Sequence, residues 1–220
     1  MDEHHPQRVH EPLTDDQQAL ANEYDARLLM LHALRVSLET KTKSALNDVP
    51  HIDRVSFRVK DRYSFARKSR PTDKEAPYAN PLVEIEDQVA GRIVVFFTHD
   101  QEVVEKRVKE WFTGTVEITR KKPERATEFG YESDHYIFVI DEHLKPDGWC
   151  DADSMPTTFE LQIRTLFMHA FAEPQHDLGY KGSDVAEEHQ RMLAWVASSA
   201  WGADRMFQEA WESIARRAAQ

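Results

Sequence analysis

Arg58-Val59-Lys60-Asp61-Arg62-Tyr63-Ser64-Phe65-Ala66-Arg67-Lys68 places cations and a hydroxyl at a spacing that suits a chain of phosphates. Val55, Phe57 and Val59 alternate with Ser56, Arg58 and Lys60, the pattern of a half-buried strand. Arg58 and Lys60 then leave the face opposite the apolar residues. Ser64 and Lys68 are four apart, on one side of a short helix expected to run through Lys68. A strand leading into a helix would gather two cations, a hydroxyl and a third cation around one concavity. The helix N-terminus adds its own positive field. Arginine there can grip phosphate in a fork or stack on a base. The same residues suit an exposed basic strand edge equally well.

Glu160-Leu161-Gln162-Ile163-Arg164-Thr165 has the same alternation. Glu160, Gln162 and Arg164 share one strand face, while Phe159, Leu161 and Ile163 turn to the core. A carboxylate and a guanidinium there could serve catalysis or form a plain ion pair. Asp87, just ahead of the buried strand expected over Gly91–Phe97, is a second carboxylate. Two acids and several cations around a triphosphate are what Mg²⁺-dependent phosphoryl transfer requires: the metal takes hard oxygen ligands and the spreading charge takes cations. In Gly130-Tyr131-Glu132-Ser133-Asp134-His135 an aromatic follows a glycine at the mouth of a strand. Tyr131 could stack on a nucleobase or pack beside an ordinary turn.

These residues need a scaffold. Thr14-Asp15-Asp16-Gln17 is a capping box, and Leu20, Tyr24, Leu28, Leu31, Leu34 and Leu38 follow at helical spacing. One helix or two are expected from about Asp15 to Leu46. Further strands are expected over Val116–Thr119 and Tyr136–Ile140, and a helix with Val103, Val104, Val108 and Trp111, capped by Asp100. Ser69–Pro81 and Asp141–Pro156 read as loops. A helix from Leu166 should be disturbed at Pro174. The tail from Val185 to Arg217 reads as helical, with Gly202 marking a bend or break. Its stripe of Met192, Trp195, Val196, Met206, Phe207, Trp211 and Ile214 is expected to pack into the core, or to form an assembly interface. The sum is an α+β (α/β-like) chain with a mixed sheet of about five strands.

The chain has 220 residues, 40% of them hydrophobic, enough for a core. A single cysteine excludes an internal disulfide framework. The start lacks a secretory pattern and no apolar run is long enough to span a bilayer, so a cytoplasmic protein without membrane contact is expected. Net charge is −11, which disfavours non-specific nucleic-acid binding. The segment Arg54–Lys74 alone carries +6, leaving −17 for the remainder.

In order, Arg-x-Lys-x-x-x-Ser-x-x-x-Lys, Asp-x-x-x-Gly-Arg-Ile, Gly-Tyr-x-Ser-x-His and Glu-Leu-Gln-Ile-Arg-Thr resemble the synthetase domain of the RelA/SpoT alarmone synthetases. The stretch from Met168-His169 to Tyr180-Lys181 is similar to the family's closing helix. The resemblance spans about Arg54–Lys181 and is that of a single-domain small alarmone synthetase. It implies a tail over residues 1–13, a helical extension over 14–49, a nucleotidyltransferase-like domain over 50–182 and C-terminal helices over 183–220 packing on it. It further implies transfer of the β,γ-pyrophosphate of ATP to the 3′-hydroxyl of GDP or GTP, giving (p)ppGpp. Carried over, Arg58 and Arg92 would sandwich adenine, and Lys60, Ser64 and Lys68 would hold the phosphates. Asp87 would bind Mg²⁺. Tyr131 would stack on the acceptor base and His135 would touch its phosphate or ribose. Glu160 would assist the metal or take the proton, supported by Gln162 and Arg164. Some small relatives instead modify the 3′-CCA end of tRNA or make adenosine alarmones. Here the lead into Gly130-Tyr131 has a displaced basic residue and Glu128 near the site, so those acceptors stay open. Homo-oligomers are common in the family.

Two readings compete with a synthetase. His99-Asp100 and His176-Asp177 match the dipeptide of a metal-dependent phosphohydrolase, but Asp100 is more simply a helix cap. Glu173-x-x-His176 has a bundle-metal spacing interrupted by Pro174. The chain could also be a non-catalytic nucleotide-sensing module, against which both acids argue.

Overall fold

The computed structural model describes residues 12–71, 78–112, 114–121, 125, 128–130, 133–149, 154–177 and 187–218, with backbone alone at 121 and 175–177. The capping box forms as expected: Thr14 Oγ1 accepts from Gln17 N at 3.3 Å, and Gln17 Oε1 accepts from Thr14 N at 3.0 Å. It starts α1 (Asp15–Asp25), and a separate α2 (Leu28–Ala45) follows. Then come β1 (Ile52–Val59), α3 (Arg62–Ser69), the one-turn α4 (Pro81–Glu84) and a 3₁₀ turn at Glu86–Gln88. These lead to β2 (Val89–Val95), α5 (Thr98–Trp111), β3 (Thr115–Lys121), β4 (Ser133–Val139), β5 (Thr158–Thr165), α6 (Leu166–Asp177) and α7 (Glu187–Ala218).

The five strands form one mixed sheet in the order β1-β2-β5-β4-β3. Only β2 and β5 are parallel, and the excursion through β3 and β4 separates them in sequence. Phe57, Ile93, Phe138, Phe159, Leu161 and Ile163 point to one face, where Leu31, Leu34 and Leu38 of α2 and Val104 and Val108 of α5 close the core. At Gly91 an added Cβ would lie 2.4 Å from the Phe57 ring and 2.8 Å from Leu161 Cδ1. The Gly-Arg-Ile motif therefore contains glycine because Phe57 lies across it. With one face sealed, period-2 alternation commits Arg58, Glu160, Gln162 and Arg92 to the other.

Several expectations are corrected. Asp100 is not the N-cap of α5, which is Phe97; it sits in the first turn, where its Oδ2 accepts from Phe97 N at 3.1 Å. The expected disturbance at Pro174 is present and local: the proline lies inside α6 and costs that turn a hydrogen bond, while the helix runs on to Asp177. Gly202 neither bends nor breaks α7, one helix of 32 residues. A Cβ at Gly202 would meet nothing within 4 Å, so glycine there costs only its intrinsic propensity. The apolar stripe of α7 is not core: Trp195 is 74% exposed, and Met192, Met206, Phe207 and Ile214 are all above half. Only Ala197, Ala200 and Asp204 of α7 are buried, the two alanines against Met168 and Phe171 of α6. Residues 1–11 of the tail, residues 72–77 of the Ser69–Pro81 loop and Tyr180-Lys181 lie outside the described residues. Among the described residues no helix is long and apolar enough to cross a membrane.

Candidate active site

The polar face of the sheet is laid out in rows. Ser56, Arg92, Gln162 and His135 sit side by side across β1, β2, β5 and β4, and Arg58, Ala90, Glu160 and Ile137 form the next row. Arg58 and Arg92 are thus diagonal neighbours on antiparallel strands, close enough for long side chains to meet one flat ligand.

At the end of β1 the chain turns sharply into α3. Lys60 N donates to Gln88 O at 2.8 Å, and Asp61 caps α3 by accepting from Ser64 N at 2.9 Å. From α1, the Tyr24 hydroxyl donates to Lys60 O at 2.9 Å, with its ring stacked on Phe65 at 4.1 Å. The 3₁₀ turn bearing Asp87 is anchored from beneath by buried Gln88, whose Nε2 donates to the carbonyls of Leu82 and Ile85 at 2.9 and 3.0 Å. Lys60 Nζ reaches Asp87 Oδ2 at 2.7 Å and Lys68 Nζ reaches Oδ1 at 2.9 Å. Burial alone would raise the Asp87 carboxyl, but the two ammonium groups outweigh it and hold it at about 2. Lys68, pulled down by burial, is carried above its ordinary value by Asp87.

Across β2, Glu160 heads a chain of polar contacts. Its Oε1 meets His135 Nδ1 in a short contact, and its Oε2 accepts from Gln162 Nε2 at 3.1 Å. Arg164 Nη2 donates to Gln162 Oε1. Burial raises Glu160, His135 more than offsets it, and the nearby charge of Asp87 pushes back, so the net shift is downward. Arg92 Nη1 pairs with Glu173 Oε1 at 2.5 Å, and the same oxygen lies 3.6 Å from Arg164 and 3.8 Å from His169.

Of the residues singled out in the sequence, Lys60, Lys68 and Asp87 meet directly. Glu160, His135, Gln162 and Arg164 form one chain beside them, and Arg92 joins it through Glu173. Arg58 and Ser64 are exposed at the margin, and Arg58 has no ion-pair partner among the described residues. Tyr131 lies outside the described residues, as do the side chains of His176 and Asp177. Sequence reasoning missed three contributors. Tyr24 fixes Lys60 and reads as one more apolar position of α1. Glu86 has a carboxyl raised first by burial and then by Glu117. Glu173 carries two signals, its i,i+4 relation to His169 and the interrupted bundle-metal spacing with His176, and neither points to Arg92.

Asp87 and Glu160 are the residues that could hold a divalent ion. Both are pushed toward the ionised form, both offer hard oxygens, and the charge of one acts on the other. That mutual repulsion is what a divalent cation relieves, so the donor set fits Mg²⁺.

Residues 57–185 match the family model described as the region found in RelA / SpoT proteins. The chain belongs to the RelA/SpoT family. A search of curated proteins returned no match. Among solved structures, this RelA/SpoT chain is similar to small alarmone synthetase 1 from Bacillus subtilis bound to its product pppGpp. The identity is 23% over 88% of this chain and 99% of that one, with a TM-score of 0.71. The same enzyme bound to AMPCPP gives 21% identity over 89% and 99%, with a TM-score of 0.66. A GTP pyrophosphokinase family protein from Streptococcus pneumoniae gives 24% over 92% and 96%, with a TM-score of 0.61. The shared fold is the mixed sheet with flanking helices, and family membership makes the chain a nucleotide pyrophosphotransferase.

Proposed function

We propose that the chain moves the β,γ-pyrophosphate of ATP to the ribose 3′-hydroxyl of GDP or GTP. The observation that carries this is the convergence of Lys60 and Lys68 on Asp87 within the field of Glu160. In the reaction the acceptor 3′-oxygen bonds to the β-phosphorus of ATP. The bond from that phosphorus to the α,β-bridging oxygen breaks, and AMP leaves with the electron pair. Lys60 and Lys68 follow the phosphate chain and exchange Asp87 for phosphate oxygens when the donor binds. Arg58 and Arg92 hold the adenine between them. Ser64, one turn ahead of Lys68 on the α3 face, donates its hydroxyl to phosphate. Glu160 takes the 3′-hydroxyl proton, and His135 and Gln162 hold its carboxylate in place. Arg164 steadies Gln162, and Tyr131 stacks on the acceptor base. Mg²⁺, held by Asp87 and Glu160, would neutralise charge developing on the phosphates.

Purified protein incubated with ATP labelled in its γ-phosphate, and with GDP, GTP, ATP or tRNA in parallel, tests the acceptor. Label is expected on GDP and GTP. Label on tRNA or adenosine nucleotide alone would refute the guanosine assignment while leaving pyrophosphate transfer intact.

A further inference from the structure

At the opposite end of β1 from Lys60, three potential metal ligands converge. His51 immediately precedes β1, and His99 and Asp100 open α5 just after β2. One ligand atom from each lies within 4.8 Å of the others. His51 Nδ1 and His99 Nε2 both face the same carboxylate oxygen, Asp100 Oδ1, at 3.2 and 3.1 Å. A tetrahedral zinc with bonds of about 2.0–2.1 Å sets its ligand atoms roughly 3.3 Å apart. Eight residues of extended strand separate this cluster from Lys60, a span of roughly 26 Å, so it is not part of the nucleotide site.

The surrounding contacts select the ligating forms. Gln208 Nε2 donates to Glu212 Oε1 at 2.7 Å, which turns Gln208 Oε1 toward His99 Nδ1 at 2.8 Å. An amide oxygen only accepts, so the ring proton is assigned to Nδ1, which leaves the lone pair on Nε2, 3.1 Å from Asp100 Oδ1. A lone pair this close to a carboxylate oxygen is a repulsion that an added proton, or a metal ion bound to both atoms, relieves. The second oxygen of Asp100 is fixed by Phe97 N at 3.1 Å, and its side chain is 4% exposed. Such orienting partners, on both an imidazole and a carboxylate, are the usual supports of a metal site. His51 adopts φ +62°, an uncommon conformation for a residue with a side chain, and its ring is directed at this cluster. The rings of Phe97 and Trp211 close the sides.

We infer that His51, His99 and Asp100 bind one Zn²⁺, with a fourth position left to solvent, tying the start of β1 to α5 and, through Gln208, to α7. The site is structural in placement, since it joins three segments otherwise linked here by the Phe96–His51 backbone bond, the contacts of Gln208 with Thr98 and His99, and aromatic packing.

The test uses the full chain, stripped with chelator, dialysed and titrated with Zn²⁺ against a chromophoric chelator, with Co²⁺ as a spectroscopic substitute. About one equivalent is expected, with the intense visible absorption of four-coordinate Co²⁺ and a higher thermal midpoint in Zn²⁺. His99→Ala and His51→Gly, the latter compatible with the positive φ, should abolish both signals, and Gln208→Ala should weaken binding by about 10–100-fold. Changing His4, His5 and His10 to alanine should leave uptake unaltered. The inference is overturned if the wild-type chain takes up no Zn²⁺. It is equally overturned if Co²⁺ shows only weak octahedral bands, or if uptake survives His99→Ala and His51→Gly but is lost with the three N-terminal histidines. The Co²⁺ spectrum of the wild-type chain decides the matter even if a variant fails to fold.

Discussion

The β1–α3–β2 corner and the β5–β4–α6 side of the same sheet face are both charged, yet they are balanced differently. At the corner, Lys60 and Lys68 converge on the one carboxylate of Asp87, with exposed Arg58 beside them, so positive charge is in surplus. On the other side, Arg92, Glu173, Arg164, Gln162, Glu160 and His135 alternate, each group matched by its neighbour. A surplus attracts an anionic ligand and releases its internal partner when the ligand arrives. A matched chain binds little by itself but holds a carboxylate in one orientation. The corner is therefore suited to gripping the donor, and the chain to presenting Glu160.

The sharpest way to break this contrast is to neutralise the acids. Asp87→Asn and Glu160→Gln are each expected to lower kcat by about 10³-fold or more, since each removes charge from the reacting centre. An unchanged turnover in Glu160→Gln would remove the catalytic role of the chain. Next in size, Lys60→Met and Lys68→Met should cost about 10²–10³ in kcat/KM for ATP, read by steady-state kinetics at varied ATP. A loss confined to the acceptor KM would mean the corner does not hold the donor.

The corner also has an acid signature. Asp87 titrates at about 2 in the folded chain against an ordinary 3.8. Its ionised form therefore contributes stability that is fully present above pH 4 and is lost as pH falls toward 2, about 2 kcal/mol in all. Denaturant unfolding of wild type and Asp87→Asn at pH 5 and pH 2 should show their stability gap narrowing at the lower pH. A gap of constant size would mean the lysines do not hold this carboxylate. Smallest of all, Glu173→Gln frees Arg92 from α6 and should change KM for ATP by only about 2–5-fold, in line with the modest worth of a half-exposed ion pair. A larger loss would make Glu173 part of the binding surface itself.

How far the sequence reads depends on the range of each contact. The Arg58–Lys68 unit is legible because strand and helix periods are local, and Phe159–Ile163 commits Glu160 to the polar face for the same reason. Glu173 meeting Arg92 is not legible, because the parallel pairing of β2 with β5 brings α6 over β2 only after the chain has passed through β3 and β4. The α7 stripe shows the limit of periodicity. Met192, Trp195, Met206 and Ile214 share an apolar pattern, but pattern says that a face is apolar and not what covers it. His99-Asp100 is legible as the start of a helix, whereas its meeting with His51 depends on the start of β1 lying beside the end of β2.

The most direct measurement of the central claim is the adenine product. If the β-phosphorus is the centre attacked at this face, each acceptor molecule that gains two phosphates must release one AMP, resolved by chromatography and mass spectrometry in a single turnover. Release of ADP, with the acceptor gaining a single phosphate, would place the attack at the γ-phosphorus and contradict the account.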